Sequence, residues 1–593
     1  MIPSSDCSSI GRDLVFPFSK STDLQSLSSE RIIEGAAMTT GDIRIQLDLL
    51  IPMRDGVQLY AALYKPSHGD RWPVLLLRSP YSTQFPRYVD WATRFAQSGY
   101  AVVMQDSRGR YESGGKWRPY VDETNDGYDT HQWLGAQPWC DGNIGTFGVS
   151  YPGFTQILPA PLRSPYLKAL VPIANQEDNY GHMRYNGVLQ VQNAMNFIFL
   201  GDRTNQNAPR DLLDWDKVYS RLPLISALDD IADRPFYRAV IRHNNFDDFW
   251  SSYSMKGQYP DVEAPAYFIT GWYDNLVHEG FKCFDGWKNQ ARNPDTRTQT
   301  KLLVGPWTHT AIGSADPFGD IDFGLGAAMD IPGEHIRWYD QRLRDMNTGI
   351  DEEPPIRIFV MGENVWRNEQ EWPLARTQFT KFYLHSQGHA NSLFGDGLIN
   401  QEPPGDEPPD TFTYDPADPV PTHGGQSMFI TNTGPRDRRP VERRDDVLVF
   451  TTSILEDAVE ITGPIELTMF AASDAPDTDF TAALVDVHPN GKAIHICDGI
   501  VRARFRESYT HPTLIEPGTV YGYTFKLWET SNLFKAGHHI RLEISSSNFP
   551  RFDRNLNTGN DPATDTNVCI AHQTIFHNNQ YPSHVTLPVI PRR

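Results

Sequence analysis

GNIGTFGVSYPG, residues 142–153, is the stretch on which the fold turns. Its first part, IGTFGVS (144–150), has the apolar character of a buried strand, and FTQILPA (154–160) follows with helix-like spacing. Gly145, Gly148 and Gly153 crowd the junction, and Ser150 sits at it. A sharp strand-to-helix turn lifts a side chain clear of a sheet, and small neighbours relieve the crowding at such a bend. A serine in that place is presented as a nucleophile. The spacing is G-x-S-x-x-G, with Pro152 where the commoner G-x-S-x-G pattern has its second glycine. Alone, the motif also fits an ordinary glycine-rich strand–helix turn.

The flanking sequence supplies the sheet. IRIQLDLL (43–50) and VQLYAALY (57–64) are strand-like and separated by the turn signal Arg54-Asp55-Gly56. PVLLLRSP (73–80) and YAVVMQDSRG (100–109) enclose YVDWATRFAQSG (88–99), which places Val89, Ala92 and Ala96 on one helical stripe and stops at Gly99. ALVPIA (169–174), PAYFITG (265–271) and KLLVGP (301–306) continue the pattern, and HIRWYDQRLRDM (335–346) is a closing helix. Near-continuous apolar strands alternating with helices predict an α/β fold whose parallel sheet is buried on both faces. The stretch 176–260 breaks the alternation. Val188, Leu189, Val191, Met195, Phe197 and Ile198 have helix-like spacing there, among many aromatic residues, so a helical cap inserted in the core is expected.

Beyond about residue 375 the helices give way to short alternating runs, KFYLHS (381–386), DVLVFTT (446–452), IELTMFAA (465–472), AALVDVHP (482–489) and IRLEISSS (540–547). Turn signals such as Asn490-Gly491 separate them, as in an all-β sandwich. Residues 401–425 hold seven prolines and read as an extended surface connection, because proline lacks the ladder donor. The expected organisation is a variable arm (1–40), a first core segment (41–175), a cap (176–260), a second core segment (261–375) and a C-terminal β domain (376–593).

A serine hydroxyl attacks only when a base removes its proton and a third group orients that base. Asp274 comes after the strand PAYFITG, 124 residues beyond Ser150, and His309 comes after KLLVGP, a further 35 residues on. The order Ser, acid, His, with each residue at a strand end, is that of α/β-hydrolases. Acyl transfer also needs oxyanion donors. The Tyr151 N–H is one. The loop after the strand ending at Arg78 has no glycine run, which leaves the Tyr81 hydroxyl as the second candidate or as a plain aromatic wall.

RSPY (78–81), QDSRGRYESGG (105–115), GNIGTFGVSYPG (142–153), GWYD (271–274), GPWTH (305–309) and SSSNFPRFDRNLNTG (545–559) together resemble the CocE/NonD hydrolases, the cocaine esterase and X-Pro dipeptidyl-peptidase group. The resemblance spans roughly residues 43–590. It implies an α/β-hydrolase core, a helical cap and a C-terminal jelly roll. It also implies Ser150 as nucleophile, Asp274 as orienting acid, His309 as base, and Tyr81 with the Tyr151 N–H as oxyanion hole.

Substrate type is the open question. X-Pro peptidases and α-amino acid ester hydrolases must hold an ammonium, which calls for carboxylates. The amino ester hydrolases resembling this chain carry acids just after the triad aspartate, where this chain has Asn275, Leu276 and Val277. Leu276 instead suggests an apolar wall for an acyl group. Glu177, Asp178, Asp247 and Asp248 keep a peptidase in play. The same residues also suit an acyltransferase, a natural-product ester hydrolase or a hydrolase-fold binding protein without turnover.

The chain has 593 residues, of which 39% are hydrophobic and 21% charged, which excludes a wholly disordered protein. A net charge of −21 disfavours nucleic acid and anionic membrane as partners. A small-molecule ester is the expected partner, and a homodimer is an open arrangement. Cysteines at 7, 140, 283, 497 and 569 form no CxxC pair. Reduced thiols in a cytoplasm are the simpler expectation than a disulfide framework or a zinc site. No run of ~18 apolar residues occurs and the first residues lack a basic-then-apolar pattern, so neither a membrane span nor a secretory signal is expected. HExxH, EF-hand and Walker patterns are absent, so neither cofactor nor metal is expected. Val-Asp-Val-His (485–488) and His538-His539 read as isolated surface or structural residues.

Overall fold

The computed structural model describes residues 43–197, 213–231, 234–428 and 432–591. The arm expected at 1–40, with Cys7, and the cap residue Ile198 lie outside the described residues.

A ten-stranded sheet forms the first half. The Arg54-Asp55-Gly56 turn, closed by a 2.9 Å bond from the Gly56 N–H to the Met53 carbonyl, joins β1 (Ile43–Pro52) to β2 (Gln58–Pro66). Then come β3 (Trp72–Ser79), α1 (Pro86–Gln97), β4 (Ala101–Asp106), α2 (Glu123–Gly135), β5 (Cys140–Val149), α3 (Tyr151–Ile157) and β6 (Leu167–Ile173). After β6 the chain leaves the sheet through α4 (Asn179–Met183), a ribbon of β7 (Arg184–Tyr185) and β8 (Val188–Leu189), and four helices, α5 (Val191–Phe197), α6 (Trp215–Tyr219), α7 (Pro235–Arg242) and α8 (Asp248–Ser251). It returns with β9 (Tyr267–Tyr273), α9 (Val277–Gln290), α10 (Pro294–Gln299), β10 (Lys301–Thr308), α11 (Ile331–Arg344), β11 (Ile356–Val360) and β12 (Val365–Glu369).

The strand order is β1-β2-β4-β3-β5-β6-β9-β10-β11-β12. Every pair from β4 through to β11 is parallel. The side-chain period of two divides the strands between two cores. Leu75, Leu77, Val102, Met104 and Phe147 pack with Ala92 and Phe95 of α1 and with Trp338 and Tyr339 of α11. Leu76, Val103 and Ile144 face the opposite side with Leu134 of α2. Burial on both faces is why β3, β4, β9 and β10 are apolar along their length. Because β5, β9 and β10 run parallel, their C-terminal ends share one edge, and the residues just beyond them meet there.

The excursion after β6 is not wholly helical. Val188 and Leu189, expected on a helix, form the ribbon with Arg184 and Tyr185. Asn186 and Gly187 between them have φ of 47° and 81°, the left-handed pair that a two-residue hairpin requires.

The second half is an eleven-stranded, largely antiparallel sheet. Its strands are β13 (Gln378–His385), β14 (Leu398–Asn400), β15 (Asp410–Tyr414), β16 (Leu448–Thr451), β17 (Val459–Ser473), β18 (Asp479–Val487), β19 (Ala493–Arg502), β20 (Tyr521–Phe534), β21 (His539–Ser545), β22 (Ala571–Phe576) and β23 (His584–Ile590). They run in the order β15-β22-β17-β23-β13-β14-β16-β21-β18-β19, with β20 paired to β17. The proline-rich connection contains an edge strand, since β15 lies between its prolines and pairs with β22 on one side only. This sheet bonds directly to the strand that precedes Asp274. The Tyr273 hydroxyl donates to the His495 carbonyl at 3.0 Å, and Gln426 Nε2 donates to the Trp272 carbonyl at 3.0 Å.

Candidate active site

Ser150 is the first residue after β5 and the last before α3, with φ 69° and ψ −124°. A non-glycine residue holds such a backbone only when its surroundings enforce it. The Ser150 N–H donates to the Ile173 carbonyl of β6 at 2.8 Å, and its carbonyl accepts from the Gly153 N–H at 2.8 Å. Gly148, at φ 141°, has no room for a side chain, because a Cβ there would lie 2.4 Å from Pro152 Cβ and 2.8 Å from Leu77 Cδ1.

Tyr81 sits beside this turn, its ring edge-on to that of Tyr151 at 6.4 Å, and the Ser150 side chain and the Tyr151 backbone both act on its phenol. The sequence RSPY is held for this by the neighbouring QDSRGR. Arg110 Nε donates to the Pro80 carbonyl at 2.9 Å, the Ser107 N–H to the Ser79 carbonyl at 2.9 Å, and the Thr83 N–H to Asp106 Oδ1 at 2.9 Å. Burial raises the Tyr81 phenol above its ordinary pKa, so it stays protonated. Burial pushes Asp106 up to about 7, against the Thr83 N–H and the Arg110 charge. The Tyr151 ring turns away, stacked on Tyr120 at 4.5 Å, and its hydroxyl donates to Glu123 Oε1 at 2.9 Å. Glu123 in turn pairs with buried Arg78 at 2.7 Å.

Asp274 follows β9 and is fully buried. His309 follows β10, and its Nδ1 lies 3.0 Å from Asp274 Oδ1. Nδ1–H donation to that carboxylate leaves Nε2 as the ring's base. The Leu276 N–H donates to the same Oδ1 at 2.8 Å, so this buried residue orients the carboxylate through its backbone. The structure thus brings Tyr81, Ser150 and Tyr151 together at one strand end, and Asp274, Leu276 and His309 together at the two strand ends further along the sheet.

The four carboxylates considered for an ammonium are engaged elsewhere or exposed. Asp178 caps α4 through the Gly181 N–H at 2.6 Å and pairs with Lys256 at 2.7 Å. Glu177 Oε1 accepts from the Tyr259 hydroxyl at 2.7 Å. Asp247 pairs with His243 at 2.6 Å and caps α8, while Asp248 lies exposed in the first turn of that helix. One residue escaped the sequence reading. His182 on α4 is buried and held down to about 4 by that burial, with His309 adding to the shift and the Glu279 and Asp274 carboxylates opposing it. Nothing in its local sequence separates it from the other 17 histidines, since it arrives through the excursion between β6 and β9.

Strand order, turn and side-chain pairing define a serine hydrolase joined to a C-terminal all-β domain. A family profile described as X-Pro dipeptidyl-peptidase (S15 family) matches residues 55–311, and one described as X-Pro dipeptidyl-peptidase C-terminal non-catalytic domain matches 348–586. Cocaine esterase of Rhodococcus sp. (strain MB1 Bresler) is 38% identical over 585 residues, covering 94% of this chain and 100% of the relative. Among solved structures, an aminopeptidase from a marine sediment Thaumarchaeota archaeon superposes with TM-score 0.82 at 23% identity, covering 97% and 100% of the two chains. An α-amino acid ester hydrolase superposes with TM-score 0.81 at 24% identity, covering 94% and 98%. The two structural likenesses establish the fold alone. The chain belongs to the CocE/NonD hydrolases, the cocaine esterase and X-Pro dipeptidyl-peptidase (S15) family, and is a serine ester hydrolase.

Among the described residues, no helix is long and apolar enough to cross a membrane, and Cys140, Cys283, Cys497 and Cys569 are free thiols.

Proposed function

We propose that the protein cleaves carboxylic esters with bulky, uncharged acyl groups through an acyl-enzyme on Ser150. His309 Nε2 takes the Ser150 proton as the hydroxyl attacks the carbonyl. The Tyr81 hydroxyl and the Tyr151 N–H receive the oxyanion. His309 then passes its proton to the departing alcohol, and water repeats the sequence to release the acid. Asp274 holds the imidazole and offsets its charge. The observation that carries this assignment is the strained turn that presents Ser150 at the end of β5 beside Tyr81, with the His309–Asp274 pair at the ends of β10 and β9. Two donors converging beside the nucleophile form the cradle that a tetrahedral oxyanion needs.

A neutral acyl group is favoured by what surrounds Tyr151. Trp117 and Tyr120 lie against its ring, and Phe236 and Tyr253 continue from Tyr120. The commitment of Glu177 and Asp178 to internal partners argues in the same direction, against an ammonium pocket. The identity to cocaine esterase fits an ester of this type, with Leu276 as one apolar wall. In this scheme residues 176–260 act as a cap over the acyl site, and residues 376–593 form a jelly roll that buttresses β9.

Purified wild type and Ser150→Ala, run on p-nitrophenyl esters of graded acyl size and on alanyl-prolyl p-nitroanilide, test the proposal. Ester turnover that vanishes in the variant, together with loss of fluorophosphonate labelling, is the expected result. Labelling that survives in Ser150→Ala would assign the nucleophile elsewhere. Faster cleavage of the anilide would overturn the ester preference.

A further inference from the structure

Asp486, His488 and His538 read as isolated in sequence, yet the second sheet brings them together. Asp486 lies near the end of β18 and His488 is the first residue beyond it, two positions further along the chain. β21 runs antiparallel beside it, with Asp486 opposite Ile540 and Val487 opposite His539. One further step of that register sets His538 across from His488. The result is compact. His538 Nδ1 lies 2.7 Å from Asp486 Oδ1, His488 Nε2 lies 3.8 Å from Asp486 Oδ2, and the two imidazole rings are 4.5 Å apart between centres. One donor atom from each residue fits within a 4.8 Å span, and among the described residues this is the one such grouping of three.

We propose that these three side chains bind a first-row transition-metal dication of the zinc class. Two imidazoles and one carboxylate are the donor types that zinc, cobalt and nickel favour, whereas calcium and magnesium call for shells of oxygen. Three protein donors and a water complete a tetrahedral shell. A four-coordinate site with bonds of ~2.0–2.1 Å needs His488 closer to Asp486 than the 3.8 Å at which it stands here. His488 supplies that movement, because it is the half-exposed member at the end of its strand, while Asp486 and His538 are buried. To ligate through Nδ1, His538 carries its proton on Nε2 instead of donating it to Asp486, so the metal takes the place of a hydrogen bond. The site ties the turn from His488 to Lys492 to the turn from Lys535 to His538, where the Gly491 N–H and the His538 N–H close on the His488 and Lys535 carbonyls. Its role is that of a staple between two turns of the β domain.

The test uses full-length protein stripped with a chelator and titrated with Co²⁺, read by visible d–d absorption, and with Zn²⁺, read by calorimetry. One equivalent should bind, Zn²⁺ should displace Co²⁺, and Zn²⁺ should raise the thermal midpoint. His488→Ala should weaken binding by more than about tenfold, at least the loss seen on removing an outer partner of a metal ligand, and should abolish the thermal shift. Its ester turnover should stay at the wild-type rate. Asp486→Asn gives an independent second variant. Absence of saturable binding at one equivalent in wild type would overturn the site. So would unchanged affinity in a folded His488→Ala protein.

Discussion

At the scale of single residues, the Tyr81 hydroxyl is the most informative atom. The Ser150 side chain and the Tyr151 backbone both act on its ionisation. In the proposed mechanism this hydroxyl donates to the oxyanion together with the Tyr151 N–H. Tyr81→Phe removes one donor and leaves the ring, its edge-on contact with Tyr151 at 6.4 Å and the backbone in place. The expected outcome is a fall in kcat of ~10²–10³ with little change in KM, the usual consequence of losing one oxyanion donor. Steady-state kinetics on a p-nitrophenyl ester measure it, and a kcat within twofold of wild type would remove Tyr81 from the role. Because burial raises its phenol pKa, this donor should not titrate across the working range of the enzyme. Ser150, Asp274 and His309 stand out in the sequence because a serine, an aspartate and a histidine each come directly after an apolar strand, and parallel strands carry the residues at their C-terminal ends to one edge. Tyr81 needed the family resemblance, since a tyrosine after a strand is equally an aromatic wall. Glu123, Arg78 and His182 were illegible for a different reason. Their importance comes from burial against segments distant in sequence, and no local pattern records that.

The loop carrying Tyr81 shows how an element inherits its shape from its neighbour. β3 ends at Ser79 and β4 at Asp106, paired in parallel register, and the bonds from Ser107, Arg110 and Asp106 back to residues 79–83 fix the loop. Asp106 is the titratable member, its carboxyl raised by burial to about 7 in the folded protein from 3.8. A carboxyl raised on folding favours the native state most below its unfolded pKa, and that contribution is lost as pH rises through the folded value. The thermal midpoint of wild type minus that of Asp106→Asn should therefore decline from about pH 4 to about pH 8 and then level off. A difference that stays flat across that window would show that Asp106 does not titrate there. The elements themselves were largely legible. The apolar runs from 43 to 306 coincide with β1 to β6, β9 and β10, and the 88–99 stripe is α1. The misreadings have separate causes. Val188 and Leu189 fit a helical spacing, but the Asn186-Gly187 turn between them and Arg184-Tyr185 overrides it. β15 sits between prolines because an edge strand needs ladder bonds on only one side. Asp486, His488 and His538 looked isolated because their neighbourhood depends on the β18–β21 register, which pairs residues about fifty positions apart.

Over the whole molecule, the two sheets are joined by buried polar links as well as by apolar contact. Arg502, at the end of β19, is 1% exposed and lies between two carboxylates. Its guanidinium donates to Asp479 at 2.8 and 2.9 Å and to Asp553 at 2.9 Å. Asp553 Oδ1 also accepts from the Leu189 N–H at 3.1 Å, and the Asp553 N–H donates to the Leu189 carbonyl at 2.8 Å. The β8 ribbon, part of the excursion from the first sheet, is thus bonded to the loop after β21 at the point where Arg502 neutralises it. Arg502→Met keeps the apolar bulk but strands Asp479 and Asp553 in a buried site. Removing one side of such a pairing is worth about 3–5 kcal/mol, far more than the net contribution of the intact network, because the remaining charges lose their compensation. Urea unfolding followed by tryptophan fluorescence should show a loss of that size in Arg502→Met. It should also show substantial recovery when Asp479→Asn and Asp553→Asn are added, because neutral amides can be buried without a counter-charge. The recovery distinguishes an electrostatic strut from a packing role. A triple variant no more stable than Arg502→Met alone would mean that the guanidinium fills space between the sheets and does not neutralise the carboxylates there.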